Sequence, residues 1–263
     1  MTAKLPLSVA IVTFNEEKNL PACLDSVAGL ASEIVIVDSF STDRTLDIAR
    51  QYGAQVEQQP WPGFIGQKNR AFDLCTQEWI LGLDADERLS PELQSALRRA
   101  IETAGDSVAG FALNRKAYYL GRWIEHSWYP DWIVRVVRRG KARWEGNDLH
   151  PYLAPVGPTQ RLQGDLHHYP YPTLQSHLER TIQYARVNAD YLSRTGVRAR
   201  WYHLVLHPVG AFLKKIALKG AWLDGMPGII IAFGTLIGVF AKYAYLWERQ
   251  NNGREGEKVI RKP

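Results

Sequence analysis

"WILGLDADERLSPELQSALRRAIETAG" (79–105) contains one complete strand-to-helix unit. Trp79–Leu83 is a short apolar run, the pattern of a strand covered on both faces. Asp84, Asp86 and Glu87 then crowd three acids into four positions. Like charges this close repel unless something positive sits among them. Ser90 reads as a helix cap and Pro91 as the first helical residue, and the apolar periodicity runs on toward Gly105. The same unit recurs upstream. "LSVAIVTF" (7–14) is a buried strand, with Asn15 expected to cap a helix through "EEKNLPACLDSVAGL". "SEIVIVDSF" (32–40) is a second strand ending at Asp38, followed by "STDRTLDIARQYG" as a helix closed by Gly53. "AQVEQQ" is a third strand and "GQKNRAFDLC" the next helix. Strands alternating with helices at this spacing predict an α/β fold. Its sheet would be Rossmann-type and mostly parallel, with right-handed crossovers and helices on both faces.

Beyond residue 108 the character changes. "AGFALNRKAYYLGRWIEHSWYPDWIVRVVRRGKARWEG" (109–146) reads as strands and loops rich in Trp, Tyr and Arg. "TLQSHLERTIQYARVNADYLSRTG" (173–196) reads as a long helix capped by Thr173 and ended by Gly196. The expected organisation is one domain over 1–172, in two halves, 1–107 and 108–172. A helical region follows over 173–248, then a polar tail (249–263) whose composition predicts disorder. Hydrophobic content of 46% and a charged fraction of 22% suit a chain with a sizeable core. The net charge of +5 suits anionic substrates or a membrane surface as well as nucleic acid. Nine tryptophans and twelve tyrosines fit sugar-stacking faces or a membrane interface. Cys23 and Cys75 read as unpaired core thiols of a reducing compartment. The short N-terminal apolar run does not read as a signal peptide, so a cytoplasmic location is expected. Seventeen uncharged residues from Gly225 to Ala241, preceded by the basic "AFLKKIALKG", suggest a hairpin lying on the inner face of the cytoplasmic membrane.

In an open parallel sheet, ligands bind at the carboxyl ends of the strands. Asn15 and Glu16, Asp38, and Asp84 with Asp86 all fall at such ends. The first turn, "TFNEEKN", has no glycine, which excludes a dinucleotide fingerprint and a P-loop. Phosphates would instead be held by a divalent cation, Mg²⁺ or Mn²⁺, on the clustered carboxylates. On this reading a bound metal–diphosphate unit neutralises the three acids. "RVVRRGKAR" (135–143), with five cations in nine residues, fits either an alternating strand with solvated arginines or a phosphate-bearing ligand held by arginine forks at Arg135 and Arg138.

"SVAIVTFNEEKNLPACLDSV", "EIVIVDSFSTDRTLDIA", "GQKNRAF" and "WILGLDADE" together resemble family 2 glycosyltransferases of the GT-A fold. "GRWIEHSWYPDWIVRVVRRGKARW", "NDLH" and "WLDGMPGIIIAF…YAYLWE" resemble their bacterial lipopolysaccharide-core β-glucosyltransferase subgroup. The resemblance implies inverting, metal-dependent transfer from a UDP-sugar to a lipid-linked glycan such as a lipopolysaccharide inner core, with no nucleic-acid partner. It places Thr13, Asn15 and Glu16 along the nucleotide, Asp38 on the uracil, and Lys68 and Arg70 near the diphosphate. Asp84 would contact ribose or metal-bound water, and Asp86 would ligate the metal. Inversion needs a base for the acceptor hydroxyl. Related chains often carry an acid directly after the histidine of "NDLH", where this chain has Pro151. Asp148 is then the nearest carboxylate, with Asp131 the runner-up and Glu145 behind it. Trp128 and His150 join the two arginines as acceptor candidates. Two alternatives differ in class. A sugar-1-phosphate nucleotidyltransferase would need a glycine-rich, cation-bearing first loop, the opposite of "TFNEEKN". A nucleotide-sugar-binding membrane scaffold without activity would follow if Pro151 had removed the base.

Overall fold

The computed structural model describes the backbone of residues 3–147 and 150–260, and side chains over 3–146 and 151–251. The first half alternates as the pattern predicts: β1 (Leu5–Thr13), α1 (Leu20–Ala28), β2 (Ala31–Asp38), α2 (Thr45–Gln51), β3 (Gln55–Gln58), α3 (Phe64–Asp73), β4 (Trp79–Asp84), β5 (Glu87–Leu89) and α4 (Pro91–Thr103). Then come β6 (Gly110–Tyr119), β7 (Arg122–Trp123), β8 (Trp132–Arg138), β9 (Ala142–Asn147), β10 (His150–Pro155) and β11 (Thr159–His168). Three long helices close the chain: α5 (Leu174–Arg194), α6 (Trp201–Leu213) and α7 (Gly225–Ile260). The main sheet runs β3-β2-β1-β4-β8-β6-β11-β5, with β7 beside β6, and β9–β10 form a separate hairpin. Pairing is parallel across β3-β2-β1-β4. It turns antiparallel where β8 enters between β4 and β6, so the parallel expectation holds for β1 to β4 and the whole sheet is mixed.

Strand alternation explains why the first half folds this way. Leu7, Val9 and Ile11 of β1, Ile36 of β2, and Leu81 and Leu83 of β4 share one buried core with Leu24 of α1 and Leu93 and Leu97 of α4. The intervening Ala10, Val35, Val37 and Ile80 point to the other face, where Ala71 and Phe72 of α3 and Trp144 of β9 cover them. Period two on a strand with both faces apolar calls for a sheet covered on both sides. Ser90 accepts from the Leu93 N–H at 3.2 Å, the expected cap of α4.

The chain forms two compact units: residues 1–117 with 130–169, and residues 118–129 with 170–263. The sequence expectation had kept 118–129 with the domain over 1–172. Buried Asp224 explains the difference, accepting the backbone N–H groups of Glu125 and Ser127 at 2.9 and 2.7 Å. Thr173 caps α5 as expected, here with a full capping box. α7 runs past the expected boundary at 248. Gln250 anchors it, accepting from the Ala199 N–H at 3.0 Å and donating to the Val197 carbonyl at 2.7 Å.

Candidate active site

The carboxyl ends of β1, β2 and β4 lie side by side, because Thr13 pairs in register with Asp38 and Val12 with Asp84. Asp38 is fully buried. It accepts from Thr13 Oγ1 at 2.9 Å, the Ser41 N–H at 2.8 Å and Gln58 Nε2 at 3.1 Å. Asn15 does not cap α1, which begins at Leu20. It takes a left-handed conformation (φ 56°) that asparagine tolerates. Its N–H donates to Ser41 Oγ at 2.8 Å, and its side-chain oxygen accepts from the Thr42 N–H at 2.8 Å. The Glu16 N–H donates to Thr45 Oγ1 at 2.8 Å. Residues 13–16 thus knit the first and second strand–helix turns into one wall. Asp43 adds to it, accepting from both the Glu17 and Thr45 N–H groups ahead of α2.

Asp84 and Glu87 are neutralised by the chain itself, which corrects the expectation that a bound metal–diphosphate unit neutralises all three acids. Lys68 of α3 pairs with Asp84 Oδ1. Arg135 Nη2 of β8 donates to Asp84 Oδ2 at 3.0 Å and to Glu87 Oε1 at 2.7 Å. Arg115 reaches Glu87 at 3.5 Å and forks onto Asp131 at 2.8 and 2.9 Å. Lys68, Asp84, Arg135, Glu87, Arg115 and Asp131 therefore alternate in sign along the rim. Burial alone would raise the Asp84 carboxyl, but the Lys68 ammonium and the Arg135 guanidinium outweigh it and hold it well below the usual carboxylate range. The Trp144 ring floors this cluster, with Lys68 Nζ 4.5 Å from its centroid.

Asp86 stands apart from the ladder. Its partner is His168 of β11, with Nε2 3.5 Å from Oδ2, and both side chains are about a fifth exposed. Among the described residues no group of three or more His, Cys, Asp or Glu could hold a metal. Asp86 is the one carboxylate of the acidic run outside the ladder, so a divalent cation there would draw its other oxygens from a ligand's phosphates.

Several predicted residues fall elsewhere. Arg70 lies two positions from Lys68, roughly 200° around the helix, and forks onto Glu57 at 2.6 and 2.7 Å. Arg135 is buried between two carboxylates, so its guanidinium is not free to grip an acceptor phosphate. Arg138 pairs in register with Trp79, at the opposite end of β4 from Asp84. It covers the Trp79 ring at 4.5 Å and joins Glu78. Trp128 belongs to the second unit, its ring packed against Tyr119, Tyr171 and His177. Glu145 is exposed on β9. Asp148 lies outside the described residues, as does the His150 side chain. Sequence reading missed Glu87, Arg115, Trp144 and His168 as site members. Glu87 was in view within the acidic run, but the other three arrive through long-range pairing.

The sheet order, the helices on both faces and the polar strand ends define a GT-A-like glycosyltransferase. The chain belongs to glycosyl transferase family 2, which matches residues 8–155. It is 32% identical to the lipopolysaccharide core biosynthesis glycosyltransferase LpsC of Rhizobium meliloti, over 95% of this chain and 94% of that protein. It is 44% identical to the uncharacterized glycosyltransferase RC0292 of Rickettsia conorii, over 97% and 93%. A mannosyltransferase of Pyrobaculum calidifontis, solved with GDP-Man and Mn²⁺, shares the fold. Its TM-score is 0.52 at 16% identity, over 94% of this chain and 88% of that one.

Proposed function

We propose that this chain transfers a sugar, glucose or a close relative, from a UDP-sugar to a lipid-linked glycan such as a lipopolysaccharide inner core. Transfer inverts the anomeric carbon at the cytoplasmic face of the membrane. One observation carries the reading. Asp38 and Asp86 are carboxylates at one rim that the cation ladder leaves unneutralised, while Asp84 between them is locked. Asp38, held in orientation by Thr13, would offer a carboxylate acceptor for a nucleobase edge. Asp86 and His168 would hold the divalent cation. When bound, that cation offsets charge on the departing diphosphate. Lys68 and Arg135 keep Asp84 ionised and fixed in orientation. Asp148 remains the proposed base, because the runner-up, Asp131, has its carboxylate engaged by Arg115. Kinship with LpsC over nearly the whole chain supports a lipopolysaccharide-core acceptor.

Thermal unfolding with a panel of nucleoside diphosphates, with and without Mn²⁺, tests this on the wild type and Asp86→Ala. A ligand at a hundred times its Kd adds about 2.7 kcal/mol, a rise of several degrees for a chain of this size. The expected rise appears with UDP, needs Mn²⁺, and disappears in Asp86→Ala, which unfolds at the wild-type temperature without ligand. Wild-type affinity in that variant would sink the metal assignment. A rise with GDP alone would change the donor.

A further inference from the structure

α6 wears its apolar residues outward. Trp201, Val205, Val209 and Leu213, each four apart and so on one face, are 45–72% exposed, and Leu206 beside them is 58% exposed. Pro208 is the helix's one buried residue. This is the reverse of a helix that covers a core. The stripe continues sideways, because Phe212 of α6 meets Phe233 of α7 with ring centroids 4.9 Å apart, and Phe233 and Phe240 are themselves half exposed. It continues forward into the turn over 214–224, where Leu218 and Trp222 are 79% and 59% exposed. A contiguous apolar face of this kind on one unit marks a docking surface.

Charge identifies what docks. Between Tyr191 and Trp247 the sequence has seven lysines and arginines and one acid, Asp224. Asp224 is buried, its carboxylate spent on the backbone N–H groups of Glu125, His126 and Ser127. From α6 through the turn after it, the exposed charges are therefore all positive, the acids Asp190 and Glu248 lying on α5 and α7. A second copy placed on this face two-fold symmetrically would set these cations against their own copies. An anionic lipid surface complements both features. A transmembrane course for α7 is disfavoured, although Ala221–Asn251 is long and apolar enough to cross a bilayer. α7 packs along the charged α5, whose Arg186 lies 5.0 Å from the Tyr245 ring, and a span would carry such charges into hydrocarbon.

We propose that α6 and the turn after it rest in the interface of an anionic bilayer. Trp201, Val205, Val209 and Leu213 enter the headgroup boundary by about 5–10 Å, with Lys214 and Lys219 on lipid phosphates. This deepens the reading above, in which the acceptor is lipid-linked, by naming the face that meets the lipid. It also extends the contact upstream of the predicted hairpin, to Trp201, and changes which residues of "AFLKKIALKG" take part. Phe212 is turned onto α7, and Lys215 donates to the Ser127 carbonyl at 2.8 Å.

Full-length protein should be sedimented with vesicles of phosphatidylglycerol and phosphatidylcholine in equal parts, and with phosphatidylcholine alone. The variants are Leu206→Glu/Leu213→Glu and Lys214→Glu/Lys219→Glu, all at exposed positions. The wild type should pellet with the anionic vesicles and not with the neutral ones. Each lysine lost should weaken binding about fivefold, and the double glutamate variant on the apolar stripe should stay in the supernatant. The UDP–Mn²⁺ thermal shift of every variant should match the wild type, so failure of the lipid face is distinguishable from failure of the donor site. The proposal is overturned if the wild type stays in the supernatant, if it pellets equally with neutral lipid, or if the variants pellet like it. A lipid-free dimer that Leu206→Glu/Leu213→Glu dissociates would reassign the face to a second copy.

Discussion

Both oxygens of Asp84 are held by cations, Lys68 on one and Arg135 on the other, and Arg135 is shared with fully buried Glu87. Removing one member of such a set leaves its partners charged and unpaired. Arg135→Leu should therefore lower stability by about 3–5 kcal/mol at neutral pH, read from urea unfolding. The sign with pH follows from linkage. The Asp84 carboxyl is held below its unfolded value, so its contribution is complete above about pH 4. It fades as the pH falls toward the folded pKa, where the native state loses its preference for the ion. The gap between wild type and Arg135→Leu should narrow over that acid range, and a gap that stays constant would mean that Asp84 is not the partner that matters. Arg135 was legible in the sequence as a cation near the site. Its role as a neutraliser was not, because nothing local in "RVVRRGKAR" says that its first arginine lands beside the end of β4.

At the level of elements, that landing is set by register. β8 runs antiparallel to β4 with Leu81 opposite Val136 and Trp79 opposite Arg138, so one arginine reaches the rim and the other the far edge. The parallel half was legible because each of its strands carries apolar residues on both faces and a helix follows each. The half built from β6, β8 and β11 was not, because antiparallel insertion depends on partners distant in sequence, and one residue of slip would exchange the faces. Gly82 on β4 shows how tightly the floor of the site is built. A Cβ there would lie 2.9 Å from the Trp144 ring and 3.1 Å from Phe72. Gly82→Ala should cost about 1–3 kcal/mol in thermal or urea unfolding. It should also weaken nucleotide binding by displacing the ring beneath Lys68. An unchanged UDP affinity alongside the stability loss would show that Trp144 only packs.

Across the whole molecule, two units each carry their own core, and a short excursion of the chain, residues 118–129, counts with the C-terminal helices. The sequence gives no sign of this, since the excursion includes the end of β6 and all of β7. The cause is Asp224, far away along the chain. Burial would raise its carboxyl, but hydrogen bonds from Ser127, Glu125 and His126 outweigh that and hold it below the usual range. Asp224→Ala would remove the acceptor of three backbone N–H groups, of which that of Ser127 is buried, at about 1–3 kcal/mol for the buried one. The excursion is also where Tyr119 hydrogen-bonds His177 at 2.7 Å and where Trp128 joins the aromatic cluster, so its loosening should spread through that core. Hydrogen exchange is the direct measurement. The amides of residues 125–127 should exchange at least about tenfold faster in Asp224→Ala, following the same unmet bonds. Amides of β1 and β2 should keep their wild-type protection. Equal acceleration in both units would show that Asp224 supports the whole chain rather than the unit that contains it.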